Sequence, residues 1–249
     1  MIHELLRGFD MKGKFFSGGE WLRRRGVYTD NVPIGMELNR KRIEGKVVLD
    51  AGCGEGKTAY YFSSFAKRIE GVDVIGEDIE KAKRKYRKNN LNFQVADVCR
   101  LPFGDSTFDV VYSHWVVEHL KKPGNFISEA HRVLKKGGVL ALWVPNVKSL
   151  EGFLIKIIPH SFKVKLIGIL QGRRNGHYYR CYYRANSVRK LDKLCGSKFI
   201  RVFLRRFDSM GYYNRFKFLT ALSLLKNRLI SNRFLDWVYS EFYVEYRKI

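Results

Sequence analysis

Lys46-Val-Val-Leu-Asp-Ala-Gly-Cys-Gly-Glu-Gly56 reads as the end of a strand that runs straight into a glycine turn. Val47, Val48 and Leu49 form a short unbroken apolar run, which suits a strand buried on both faces of a parallel sheet. Asp50 follows, and glycine then recurs at 52, 54 and 56, where the missing Cβ lets the backbone turn tightly and approach a ligand. Lys57 to Phe65 has helical character, so its first N–H groups would point into the same crevice. Strand, glycine turn and helix in this order predict a nucleotide pocket at the carboxyl end of the first strand of an open α/β sheet.

The pattern then alternates. Arg68 to Asp73 reads as a second strand, Glu77 to Asn89 as a charged helix, and Leu91 to Asp97 as a third strand. Thr107 to Tyr112 is a fourth strand, and Asn125 to Leu134 a helix stopped by Lys135-Lys-Gly-Gly138. Val139 to Val144 is a fifth strand, ended by Pro145. Upstream, a helix is expected from near Pro33, capped by Asn31, to about Ile43. Beyond Pro145 the alternation lapses. Residues 148–172 read as helical, and 172–184 are crowded with aromatics and arginine. A short helix, Asn186 to Cys195, is expected with Asn186 as its cap. Lys198 to Phe207 and Glu241 to Arg247 alternate as an edge pair, with a helix at 214–239 between them. The expected organisation is an N-terminal arm and helix at 1–44, then one domain over 45–249 with a cap inserted at about 148–185.

The 249 residues, 45% hydrophobic and 29% charged, fit a folded domain rather than a disordered chain. Met1 to Phe16 carries Arg7, Asp10, Lys12 and Lys14, so no secretory signal is expected. No run approaches the roughly 18 apolar residues of a membrane span. Cys53, Cys99, Cys181 and Cys195 are scattered without ligand spacing, which predicts no zinc site and a reducing, cytoplasmic setting. Charge is uneven. Residues 1–147 hold 25 basic against 18 acidic residues, a net of +7, whereas residues 148–249 hold 22 against 6, a net of +16. Such a surface attracts phosphate, in nucleic acid, lipid head groups or a phosphorylated substrate.

Further acids fall at strand ends. Asp73 ends the second strand, 23 residues past Asp50, where a carboxylate can accept from both hydroxyls of a ribose. Asp97 follows the third strand, within reach of an adenine amino group. The fourth strand opens with Phe108-Asp109 and ends by Ser113-His114. In its run of Val48-Leu-Asp-Ala-Gly-Cys-Gly-Glu-Gly56, Gly71-Val-Asp73, Ala96-Asp97, Leu101-Pro-Phe103, Phe108-Asp109 and Arg132-Val-Leu-Lys-Lys-Gly-Gly138, the sequence resembles the class I S-adenosylmethionine-dependent methyltransferases, type 11 in particular. The matches run in order over about residues 46–145. A nicotinamide-dependent dehydrogenase is the structural rival, and the dense glycine turn with Asp97 and Leu-Pro-Phe favours the sulfonium cofactor.

The resemblance implies a doubly wound, Rossmann-like α/β fold of seven strands, mostly parallel with an antiparallel final strand. It implies S-adenosyl-L-methionine as cofactor, with Gly52, Cys53, Gly54 and Gly56 beside the methionine part and Asp50 orienting the loop. Asp73 would hold the ribose, Asp97 and the Val98 amide the adenine, the Ser113 region would face the methionine amino group, and Val74 would also bind the cofactor. A base is needed only where the acceptor must lose a proton. His119 is the leading candidate, with His114 and His177 behind it. A Glu-His pair like Glu118-His119 adjoins a metal site in quinone-pathway O-methyltransferases. Trp115 stands where those enzymes carry a further acid, so no metal is expected. Tyr112-Ser-His-Trp115 also departs from the Asn-Pro-Pro-Tyr pattern of methyltransferases acting on nucleobase amines.

Three readings fit the basic second part. It caps a pocket for a small-molecule, lipid-linked or glycan-type acceptor while its exterior rests on an anionic membrane. Alternatively its arginines and tyrosines hold RNA, a tRNA in particular. The third is a non-catalytic protein that binds S-adenosylmethionine. The first is preferred, in the cytoplasm or peripheral to the membrane.

Overall fold

The structure is a computed structural model, and it describes residues 40, 42–149, 180–207 and 239–249. Nearly all of them belong to one compact unit made of residues 35–147, 179–206 and 241–249. Its centre is a seven-stranded sheet in the order β3-β2-β1-β4-β5-β7-β6. The strands are β1 (Val47–Ala51), β2 (Arg68–Asp73), β3 (Leu91–Val95), β4 (Phe108–His114), β5 (Leu134–Pro145), β6 (Phe199–Phe207) and β7 (Glu241–Lys248). The described helices are α1 (Lys57–Phe62), α2 (Gly76–Lys85), α3 (Pro123–Val133) and α4 (Val188–Cys195).

β1 is central because its side chains are apolar on both faces: Val48, Leu49 and Ala51 are wholly buried. It pairs in parallel with β2, Asp50 opposite Gly71, and with β4, Asp50 opposite Tyr112. Strand order therefore reverses between β1 and β4, the switch point at which open α/β sheets leave a crevice. β7 runs antiparallel to β5 over seven residue pairs, Val139 opposite Arg247 to Pro145 opposite Glu241. The α/β class, the mostly parallel sheet and the reversed final strand are those that the sequence predicts.

Several motif residues hold the frame rather than the ligand. Asp109 lies at the start of β4, away from the crevice, and accepts from Val47 N at 2.8 Å and Lys135 Nζ at 2.9 Å. Burial raises its pKa, but the lysine and the Val47 N–H outweigh it, and the carboxyl stays below its ordinary value. Arg132 gives the Leu-Pro-Phe loop its shape, donating to Phe103 O at 2.7 Å and Leu101 O at 3.0 Å. Its partner Glu129 accepts the Leu101 N–H at 2.7 Å. The Leu-Pro-Phe loop is thus clamped onto α3.

Other expectations need correction. α1 and α2 stop at Phe62 and Lys85, short of Phe65 and Asn89. At the end of α2 the chain turns extended at Tyr86, whose ring stacks on Tyr60 at 4.5 Å. The cap of α4 is Ser187, whose Oγ accepts from Lys190 N, because Asn186 turns its amide to Pro145 O at 3.2 Å. β5 starts at Leu134 rather than Val139, with the register shift against β4 absorbing Lys135 to Gly138. The upstream helix is seen only at residues 40, 42 and 43. The arm before it, the helices expected at 148–172 and 214–239, and His177 lie outside the described residues.

Candidate functional site

A cavity of about 490 Å³ opens at the carboxyl ends of β1 to β4. One wall is built by the turns after β1, β2 and β3. Gly52 and Gly54 have φ of +83° and +51°, the left-handed region that a Cβ disfavours. A Cβ on Gly52 would collide with the Val116 side chain, whereas one on Gly54 would meet nothing within 4 Å. Gly54 therefore keeps its backbone open to the cavity, while Gly56 serves packing: its Cβ would sit 2.6 Å from the Phe93 ring. Asp73 ties this wall together, accepting Gly54 N–H on Oδ2 at 2.9 Å and Ile75 N–H on Oδ1 at 3.0 Å. Asp97 Oδ1 accepts Cys99 N–H at 2.8 Å, which fixes the turn around Val98.

Among the expected cofactor residues, Gly52, Gly54, Asp73, Val74, Asp97 and Val98 line the cavity together. Asp50, Cys53, Gly56 and Ser113 do not. Ser113 is buried and donates from Oγ to Ala51 O at 2.8 Å, so it fastens β4 to β1. Asp50 is 1% exposed, and among the described residues its Oδ2 has no hydrogen-bond partner. Burial, and then the charge of Asp73, raise its pKa to about 7. The Cys53 thiol is pushed up by burial and by the same two acids, so it is no nucleophile.

The facing wall comes from the segment after β4 and from Arg180 and Tyr182. Trp115 holds φ +55°, costly for a bulky side chain, and its N–H donates to Trp143 O at 3.0 Å. His114 stacks on Trp143 at 4.5 Å, and burial lowers its pKa to about 3, which leaves it too weak a base for neutral pH. His119 lines the cavity with Nδ1 3.2 Å from Arg180 O. A carbonyl only accepts, so a hydrogen bond to it takes the tautomer with the proton on Nδ1; Cys181 Sγ lies 3.6 Å from the same nitrogen. Burial lowers the pKa of His119, against a smaller opposing effect of Arg180 O, so the ring is neutral at pH 7. Glu118 Oε1 is 4.0 Å from Nε2, and burial raises this carboxyl to about 8. Sequence reading missed Trp115, Val116, Leu120, Arg180 and Tyr182 as lining residues. The left-handed turn and the 60-residue separation leave no local signal.

Residues 49–142 match the family model for a methyltransferase domain. A probable S-adenosylmethionine-dependent methyltransferase of Mycolicibacterium smegmatis is 32% identical over 126 residues, 51% of this chain and 46% of that protein. An O-methyltransferase of Penicillium expansum is 28% identical over 144 residues, 53% of this chain and 52% of that one. The chain spans about half the length of the curated relatives it matches. In fold it is similar to the geranyl diphosphate C-methyltransferase of Streptomyces coelicolor, solved with Mg2+, geranyl diphosphate and S-adenosyl-L-homocysteine. The TM-score is 0.59 at 14% identity, covering 90% of this chain and 78% of that one.

The cavity suits S-adenosylmethionine. Each Asp73 oxygen has one lone pair engaged by the backbone and another available to a ribose hydroxyl. Gly54 leaves the space that a Cβ would fill. Among the described residues no group of His, Cys, Asp and Glu could hold a metal ion. Strand order, glycine turn, paired strand-end acids and the matched model converge on residues 49–142, which form a methyltransferase domain of the class I, S-adenosylmethionine-dependent kind.

Proposed function

We propose that the protein transfers a methyl group from S-adenosylmethionine to a small-molecule, lipid-linked or glycan-type acceptor, with His119 as general base. The observation that carries this reading is the placement of His119 in the same cavity as Asp73, Asp97 and the Gly54 backbone. S-adenosylmethionine supplies an electrophilic methyl on a sulfonium, a good leaving group. The chain's task is then alignment and exclusion of water, and orientation of this kind contributes about 7–11 kcal/mol. Asp73 and Val74 would hold the ribose end, Asp97 and Val98 the adenine. Asp50 would support the loop from behind, and the Gly52 and Gly54 backbone would let the methionine part close to the sheet. His119 would take the acceptor's proton on Nε2, with Nδ1–H held by Arg180 O.

The methyltransferase-domain match over residues 49–142 favours catalysis over a role limited to binding the cofactor. The basic stretch after residue 147 supports an anionic partner, a membrane surface in the preferred reading and RNA in the alternative. Among the described residues no helix is long and apolar enough to cross a membrane. Methyl transfer from labelled cofactor into a cell extract, scored separately as RNA, lipid, protein and small molecules, tests the proposal. Label in the lipid or small-molecule fraction is expected. Label confined to RNA overturns the acceptor class, and cofactor binding without transfer to any fraction overturns catalysis.

A further inference from the structure

We infer that the acceptor carries an anionic group, a carboxylate or a phosphate, which docks on Arg180 at the His119 end of the cavity. This rests on the methyl-transfer reading and adds the chemistry of the molecule that receives the methyl.

Arg180 and Tyr182 line the same cavity as His119. The Arg180 guanidinium lies over the Tyr182 ring, 5.4 Å from its centroid, and Lys121 Nζ approaches the same ring at 5.8 Å. One aromatic plane thus gathers two cations at one end of the cavity. The wall is built, not a loose strap. Tyr182 and Tyr183 both donate their N–H to Glu118 O, at 2.6 and 3.1 Å. Arg184 Nη1 donates to Lys121 O at 2.9 Å, and Arg180 O faces His119 Nδ1. Residues 180–184 are thereby fixed to the segment that carries the proposed base.

The charge of Arg180 is unspent. Among the described residues no carboxylate lies within ion-pair distance of it, whereas Lys81, Arg132 and Lys135 each have an acid partner. The acids that line the cavity, Asp73, Asp78 and Asp97, belong to the other wall, where Asp73 and Asp97 hold backbone N–H groups and Asp78 lies 3.6 Å from Lys81 Nζ. A guanidinium presents a planar fork that matches a carboxylate or phosphate in two parallel hydrogen bonds. The Tyr182 ring lies beside that fork, which is exposed and open to a ligand. An acceptor anchored there by its anion would place its nucleophile beside His119, within one fixed reach of the base.

The test uses the full chain and Arg180→Gln, with Arg180→Lys as the conservative variant. S-adenosylhomocysteine binding by calorimetry comes first and is expected to be within twofold for all three, which shows an intact fold and cofactor wall. The protein saturated with S-adenosylhomocysteine is then titrated with pyrophosphate and, separately, with benzoate. At least a tenfold weaker Kd is expected for Arg180→Gln with one of these anions, with partial recovery in Arg180→Lys. The anion that shows the difference identifies phosphate or carboxylate. Equal binding by wild type and Arg180→Gln overturns the inference, as does a tenfold loss of S-adenosylhomocysteine affinity, which would assign Arg180 to the cofactor. Failure of the wild type to bind S-adenosylhomocysteine overturns the methyl-transfer reading instead, so the two failures are distinct.

Discussion

The two walls of the cavity are finished to different degrees. On the wall made by β1, β2 and β3, the acids that line the cavity already hold partners: Asp73 has Gly54 and Ile75, Asp97 has Cys99, and Asp78 has Lys81. On the wall after β4, the buried His114 Nε2, Trp115 Nε1 and Glu118 Oε2 have none among the described residues. Each such group costs about 1–3 kcal/mol. The first wall is set before any ligand arrives, as a common cofactor demands. The second carries strain and unmet polar groups, the usual expense of a surface shaped for a particular partner.

The sharpest way to break this contrast is His119→Ala. It is expected to lower the rate of methyl transfer by about 10²–10⁴-fold with S-adenosylhomocysteine affinity unchanged, read by single-turnover kinetics and calorimetry. Equal loss of binding would move His119 to the cofactor wall. The depressed pKa has its own signature: the acid limb of kcat should lie below the ordinary imidazole value of about 6.5.

Asp73→Ala is the converse, with an expected loss of about 100-fold in S-adenosylhomocysteine affinity, from two charge-assisted hydrogen bonds at about 1.5 kcal/mol or more each. Two glycines split the cofactor wall further. Gly56→Ala forces a Cβ against Phe93 at φ +79° and should cost about 2–4 kcal/mol in denaturant unfolding. Gly54→Ala, with open space before it, should cost about 1 kcal/mol of stability and weaken cofactor binding instead.

The smallest effect is a pH dependence. Between the unfolded carboxyl value of about 4 and the folded values of about 7 and 8, Asp50 and Glu118 are protonated in the native chain and ionised in the unfolded one. The native state then holds the extra protons, and their contribution to stability is lost as pH rises through 7 and 8. The thermal midpoint should fall from pH 6 to pH 8.5, and Asp50→Asn or Glu118→Gln should each flatten part of that slope. A slope unchanged in both variants would refute the assignment.

These walls also differ in how far they could be read from sequence. Asp73 and Asp97 sit where strands end, so period, glycine spacing and acid position locate them without knowledge of packing. Ser113 fits the same motif yet turns to Ala51 O, because a side chain's face depends on the strand's pleat and neighbours. Asn186 looked like a cap until Pro145, 41 residues earlier, offered its carbonyl. Trp115 lies in a left-handed turn that no residue type there announces, and Arg180 reaches His119 from 61 residues away. Local chemistry was legible. Contacts set by long-range packing were not.

The antiparallel β7 has a consequence in time. Trp143 donates from Nε1 to Glu241 across 98 residues of chain, and Tyr246 reaches back to Asp192 at 2.9 Å. On a ribosome adding about 5–20 residues per second, β5 is complete on the order of 5–20 seconds before Glu241 is made. For that interval Leu140, Leu142 and Val144, all wholly buried in the finished sheet, border an open edge. The nascent chain therefore offers a chaperone a defined window, which closes when the last strand docks and Trp143 leaves water.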